Sequence, residues 1–108
     1  MLNDIIKHIY TMPILKLKGK EYEVQRSTRP DKKLMVKCDG KTIHFGQRNA
    51  RSWGNAPFAS LLPESEKHYD EERRKRYLAR ATKIKKKDGS LAIDDKCSAN
   101  YFAVFGLW

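Results

Sequence analysis

Apolar and polar residues alternate most regularly on either side of Asp39-Gly40. Asp-Gly favours the positive φ angles that a type I′ turn needs at both central positions, so residues 34–45 read as a β-hairpin. A two-residue turn there sets the register. Cys38 faces Lys41, Val36 faces Ile43 and Leu34 faces Phe45. Side chains alternate along a strand, so Leu34, Val36, Ile43 and Phe45 share one face, and Met35, Lys37, Thr42 and His44 share the other. The first face is a core stripe; the second is mixed and half polar.

Upstream, residues 14–18 and 21–25 alternate across Gly19-Lys20 and read as another hairpin. It places Leu15 and Leu17 against Tyr22 and Val24. Ser27-Thr28-Arg29-Pro30-Asp31 is a turn-rich link to the third strand. The four strands predict a small antiparallel meander. Past Gly46, residues 47–63 hold no sustained period but carry Trp53, Phe58, Leu61 and Leu62. A loop of that length either covers one end of the core with its aromatics or offers them to a partner.

Helical spacing occurs twice. Leu2, Ile5, Ile6 and Ile9 predict a short N-terminal helix, or an arm, over residues 1–12, broken by Met12-Pro13. Residues 64–86 form the second helical region, with Asp70 as cap of a helix starting at Glu71 and acids preceding bases, as the helix dipole prefers. Tyr77, Ala81 and Ile84 recur at i, i+4 and i+7, a narrow stripe suited to lying across the sheet. Asp88-Gly89 has two readings: Gly89 stops the helix, or the pair turns a hairpin that sets Ile84 opposite Ile93. Residues 99–108 are small and aromatic. Exposed, they would invite aggregation, so they predict a buried strand or short helix closing the core, or an anchor set into a partner. The expected fold is α+β. One domain over residues 13–108 carries a sheet of about four strands, one basic helix packed on it and a C-terminal aromatic segment.

Charge changes this picture. The chain carries a formal net charge of +10 in 108 residues, well beyond what solubility requires, and such an excess points to an anionic partner. It is concentrated between Glu71 and Lys87, with nine bases against two acids. Arg73, Arg74, Arg76, Arg80, Lys83, Lys85, Lys86 and Lys87 are the candidate partner- or phosphate-binding residues. Trp53, Phe58, Phe102, Phe105 and Trp108 are the candidate aromatic anchors. The chain shows no zinc-finger or RRM-type signature, so contact with a backbone rather than reading of bases is expected.

Catalytic chemistry finds no footing. Gly40-Lys41-Thr42 resembles the end of a P-loop, but Met35 stands where that motif needs its first glycine, and these residues turn a hairpin. His8, His44, His68, Cys38 and Cys97 show no metal-ligand spacing. No nucleophile elbow occurs. The expectation is a non-enzyme with no cofactor and no metal. Two cysteines without a pattern suit a reducing compartment as the simpler reading, with a Cys38–Cys97 bridge left open. No apolar run reaches membrane-spanning length, and the N-terminus lacks a signal peptide's charged lead.

Three blocks carry a resemblance: GKTIHFG at 40–46, DEERRKRYLAR at 70–80 and SANYFAVFGLW at 98–108. Together they resemble a family of small basic proteins of unknown function from tailed bacteriophages and large double-stranded DNA viruses, over roughly residues 33–108. That pattern often has a histidine after the last helix arginine; Ala81 stands there. The resemblance implies a minor structural protein of a virion. It would cement or line capsid, portal or neck proteins in multiple copies through its basic helix, and would reside in the host cytoplasm during assembly. Packaged DNA is a further partner of that helix, and no membrane is expected. The alternative is a non-specific nucleic-acid-binding accessory protein in the infected cell. The family supplies no catalytic residues.

Overall fold

A computed structural model describes residues 13–108; the helix or arm expected over residues 1–12 lies outside the described residues. The chain forms the expected meander. Strands β1 (Ile14–Leu17), β2 (Lys20–Arg26), β3 (Lys32–Cys38) and β4 (Lys41–Gln47) pair antiparallel in the order β1-β2-β3-β4. The β3–β4 register has Leu34 opposite Phe45, Val36 opposite Ile43 and Cys38 opposite Lys41, as the alternation predicts. Asp39 and Gly40 both take positive φ, 50° and 76°. The first hairpin turns one residue earlier than expected. Lys18 and Gly19 hold the positive φ angles, Leu17 pairs with Lys20 and Leu15 with Tyr22. Glycine at the second central position of a type I′ turn carries the strain more easily than at the first, where Lys18 accepts it.

Beyond the sheet, β5 (Ser52–Trp53) pairs in parallel with β6 (Lys67–His68). The loop between them covers the core: Phe58 is fully buried, with Ala59 and Leu62 beside it, and its N–H donates to the Gly106 carbonyl at 2.8 Å. Residues 64–66 form a single 3-10 turn, so the helical region begins only at Glu71. Arg26 holds that turn to the end of β2 through two bonds to the Glu66 carboxylate, 2.9 and 3.0 Å.

Helix α1 (Glu71–Ala81) is capped as predicted, with the Asp70 carboxylate accepting from the N–H groups of Glu72 and Arg73. It stops at Ala81, five residues short of the expected end near residue 86. Ala81 is its last buried residue, and Ile84 is half exposed. Without burial, a short helix gains too little to continue. Residues 85–91 instead turn back on themselves: Lys85 bridges Leu91, and Gly89 takes a φ of 87°. Gly89 is therefore a turn residue and not a helix stop, and the register differs by one from the Ile84–Ile93 pairing expected.

The C-terminal segment is helix α2 (Ala99–Leu107), capped by Ser98, whose Oγ accepts from the Tyr101 N–H at 3.0 Å. It is this helix, and not the basic one, that lies on the sheet against β4. Phe102 sits at the centre of the core, with its ring centroid 5.2 Å from Tyr22 and 5.6 Å from Phe45. Burial of Phe102 and Leu107 contributes about 2 kcal/mol each, more than the mostly polar face of α1 offers, and this decides which helix covers the sheet. Cys38 and Cys97 are joined by a disulfide, with Cα atoms 5.7 Å apart. This differs from the free thiols of the simpler reading. It ties the end of β3 to the segment leading into α2.

Candidate anion-binding cleft

Helix α1 stands off from the sheet and meets α2 only near its end. The Tyr77 ring stacks on Trp108 at 4.0 Å between centroids and 10° between planes. The gap between α1, the open end of β3–β4 and the start of α2 is a cleft of about 840 Å³. One wall carries Arg73, Arg76 and Arg80, spaced three and four residues apart and so on one face of α1. Lys32 and Lys33 of β3 line the opposite wall, and Asp70 is the acid at the rim. Five cations thus converge against one carboxylate, which already accepts two backbone N–H groups as the helix cap. Five positive charges facing a partly enclosed space focus a positive field there.

Sequence reading missed both strand lysines, and Lys33 is the more unexpected of the two. Alternation puts it on the face opposite Leu34, yet it is 1% exposed. Its partner position on β4 is Gly46, at a φ of 78° inside a strand. This conformation interrupts the pleat between the Leu34–Phe45 and Lys32–Gln47 pairs. A side chain at Gly46 would also collide with Leu107. Lys33 Nζ donates to the Ala50 carbonyl and, at 2.9 Å, to Ser52 Oγ. Burial lowers its pKa to about 8, opposed by the Glu66 carboxylate and assisted by Arg26 and Arg73. Lys33 is therefore charged at pH 7 and adds to the field of the cleft. The glycine within β4 was the available signal, because an isolated glycine in a strand marks a distortion of the pleat.

The lowered pKa has a pH consequence. Between pH 8 and the ordinary lysine range the unfolded chain binds the Lys33 proton more tightly, so stability rises with pH through that window. The wild type is expected to gain up to about 3 kcal/mol across it, relative to Lys33→Met, in urea unfolding measured at stepped pH. Equal slopes for the two proteins contradict a strained lysine charge.

The remaining predicted residues separate into two groups. Arg74 does not itself line the cleft; its guanidinium lies 5.1 Å from the Trp53 ring centroid, and its Nε donates to the Trp108 carbonyl at 3.3 Å. Lys83, Lys85, Lys86 and Lys87 lie past the helix in the exposed turn, and Lys86 pairs with Asp95 at 3.2 Å. Among the aromatic candidates, Phe58 and Phe102 are fully enclosed and serve the core. Trp53, Phe105 and Trp108 are partly exposed.

Two buried polar atoms among the described residues have no hydrogen-bond partner, Asn100 Oδ1 and His68 Nε2. Asn100 lines the cleft. His68 Nδ1 accepts from the Asp70 N–H at 3.1 Å, which leaves the proton on Nε2, and burial lowers the pKa of the ring. His44 Nδ1 lies 2.7 Å from Ser27 Oγ, far along the sheet. His8 lies outside the described residues. The sulfurs of Cys38 and Cys97 lie close to the Asp39 carboxylate, but they are bonded to each other and offer no thiolate to a metal.

Residues 22–52 match a family of unknown function, DUF5754. The match spans β2 to the first residue of β5. It includes Lys33 and Gly46 but neither helix. No curated protein and no solved structure matches the chain.

Proposed function

We propose that this protein binds the sugar–phosphate backbone of nucleic acid in the cleft between α1 and the sheet, and that it does so as a component of a double-stranded DNA phage or virus. The observation that carries this reading is the convergence of Arg73, Arg76 and Arg80 from one helix face with Lys32 and Lys33 from a strand. Arginines spaced along a groove suit successive phosphates, each able to take two N–H donors. The reading assigns binding and no reaction.

A place in the virion is the setting proposed for this activity. The Cys38–Cys97 bridge supports it, because disulfides persist where the reducing cytosol does not reach, as in a released particle. Cementing of capsid, portal or neck proteins through aromatic anchors has less support, since Phe58 and Phe102 are enclosed.

The test is binding of a labelled oligonucleotide by the full chain across a salt series. The expected result is a linear fall of log K with log salt, at about 0.9 per phosphate neutralised on duplex DNA and about 0.7 on single strands. Binding that is absent, or indifferent to salt, contradicts the proposal.

A further inference from the structure

One residue before Asp70, at the rim of the cleft, stands an uncovered aromatic ring. Tyr69 is 56% exposed, the one aromatic among the strongly exposed apolar residues of the described chain. It immediately precedes Asp70, the acid at the cleft rim. An isolated exposed aromatic needs no explanation; this one is held in place from three sides. Its hydroxyl donates to Glu64 Oε2 at 3.2 Å. Its ring rests on Gly54, where any Cβ would collide with it. Trp53 packs beside it at 6.4 Å between centroids. Gly54 is itself pinned, its N–H donating to the His68 carbonyl at 2.8 Å. Trp53 in turn carries the Arg74 guanidinium, which reaches Trp108 on the cleft wall. An exposed ring held in this way, one residue from the rim of a cation-lined cleft, is prepared to stack on a flat partner with little further ordering.

We infer that Tyr69, backed by Trp53, is a stacking platform for an unpaired nucleobase, and that the cleft therefore prefers single-stranded nucleic acid to duplex. The inference rests on the reading of the cleft as a phosphate-backbone site. Bases inside a duplex are stacked on each other and cannot reach the ring, whereas a single strand lays its phosphates along arginines and its bases on aromatics with little regard to sequence.

The experiment compares three labelled ligands of equal length on the full chain: a single strand, its duplex, and a strand with abasic sites. The single strand is expected to bind the wild type more tightly than the other two. Tyr69→Ala is expected to weaken the single strand about ten- to a hundredfold, to leave the duplex nearly unchanged, and to bring the intact strand down to the abasic one. Tyr69→Phe keeps the ring without the Glu64 bond and is expected to retain most of the preference. Equal, salt-sensitive binding of all three ligands by the wild type, or an unchanged preference in Tyr69→Ala, overturns the platform while leaving the backbone site standing. Absence of salt-sensitive binding to any of them overturns the backbone site, and the platform with it.

Discussion

Substituting Arg73, Arg76 and Arg80 together by glutamine is expected to weaken oligonucleotide binding on the order of a hundredfold at low salt and to lower the salt slope by about 2 to 3. These three side chains share the cleft wall of α1 and face Lys32 and Lys33. The matching control is the triple glutamine variant of Lys85, Lys86 and Lys87, which removes the same formal charge from the exposed turn beyond the helix. Lys86 is already paired with Asp95, and none of the three lines the cleft. If charge alone drew the ligand, the two triple variants would lose affinity equally. The cleft predicts that the arginine variant loses far more. All six residues are outside the buried core, so both proteins are expected to melt within a few degrees of the wild type, and binding can be compared directly.

Breaking the Cys38–Cys97 bridge, by reductant or by Cys97→Ser, is expected to lower the unfolding free energy by about 4 kcal/mol, the loop-closure value for a separation near 59 residues. That is a large part of what a domain of this size has to lose. The effect is concentrated at one joint. The bridge holds the tip of β3 to the turn before α2, where the Asp95 carboxylate accepts the Cys97 N–H and Ser98 Oγ donates to the Ala92 carbonyl. Helix α2 supplies the central core ring Phe102 and ends at Trp108, its C-cap, on which Tyr77 of α1 stacks. Loosening its start therefore reaches the cleft as well as the core. Urea unfolding with and without reductant checks the prediction. A change below about 1 kcal/mol would mean that the bridge closes nothing the fold does not already hold.

How far the sequence reached follows the range of each interaction. The Asp39-Gly40 hairpin and its register were legible because four residues and the sign of φ decide them. The Asp70 cap was legible for the same reason, since its partners are two and three residues away. The helix that covers the sheet was misassigned because both helices carry apolar residues at suitable spacing. The choice depends on the depth of the pocket formed by Tyr22, Phe45 and Phe58, which no local pattern displays. The stop at Ala81 was missed because propensity favours continuing through the lysines, and only the lack of anything to pack against ends the helix. Arg73, Arg76 and Arg80 were singled out, but along with five bases that do not line the cleft. The cleft needs Lys32 and Lys33 from a strand about forty residues away, a convergence that charge counting along the chain does not see. Lys33 was hidden by the rule that made the hairpin readable, because alternation places it outside and the positive φ of Gly46 brings it in. The disulfide was open in sequence because two unpatterned cysteines do not reveal the distance between them.

Binding at the cleft is read out residue by residue in an amide chemical-shift map of the full chain titrated with a short single-stranded oligonucleotide at low salt. The largest shifts are expected on α1 from Glu71 to Arg80, on Lys32, Lys33 and Gly46 across the cleft, and on Tyr69 and Gly54. Shifts confined to residues 83–90, or scattered over every basic surface of the chain without concentration at the cleft, would contradict it.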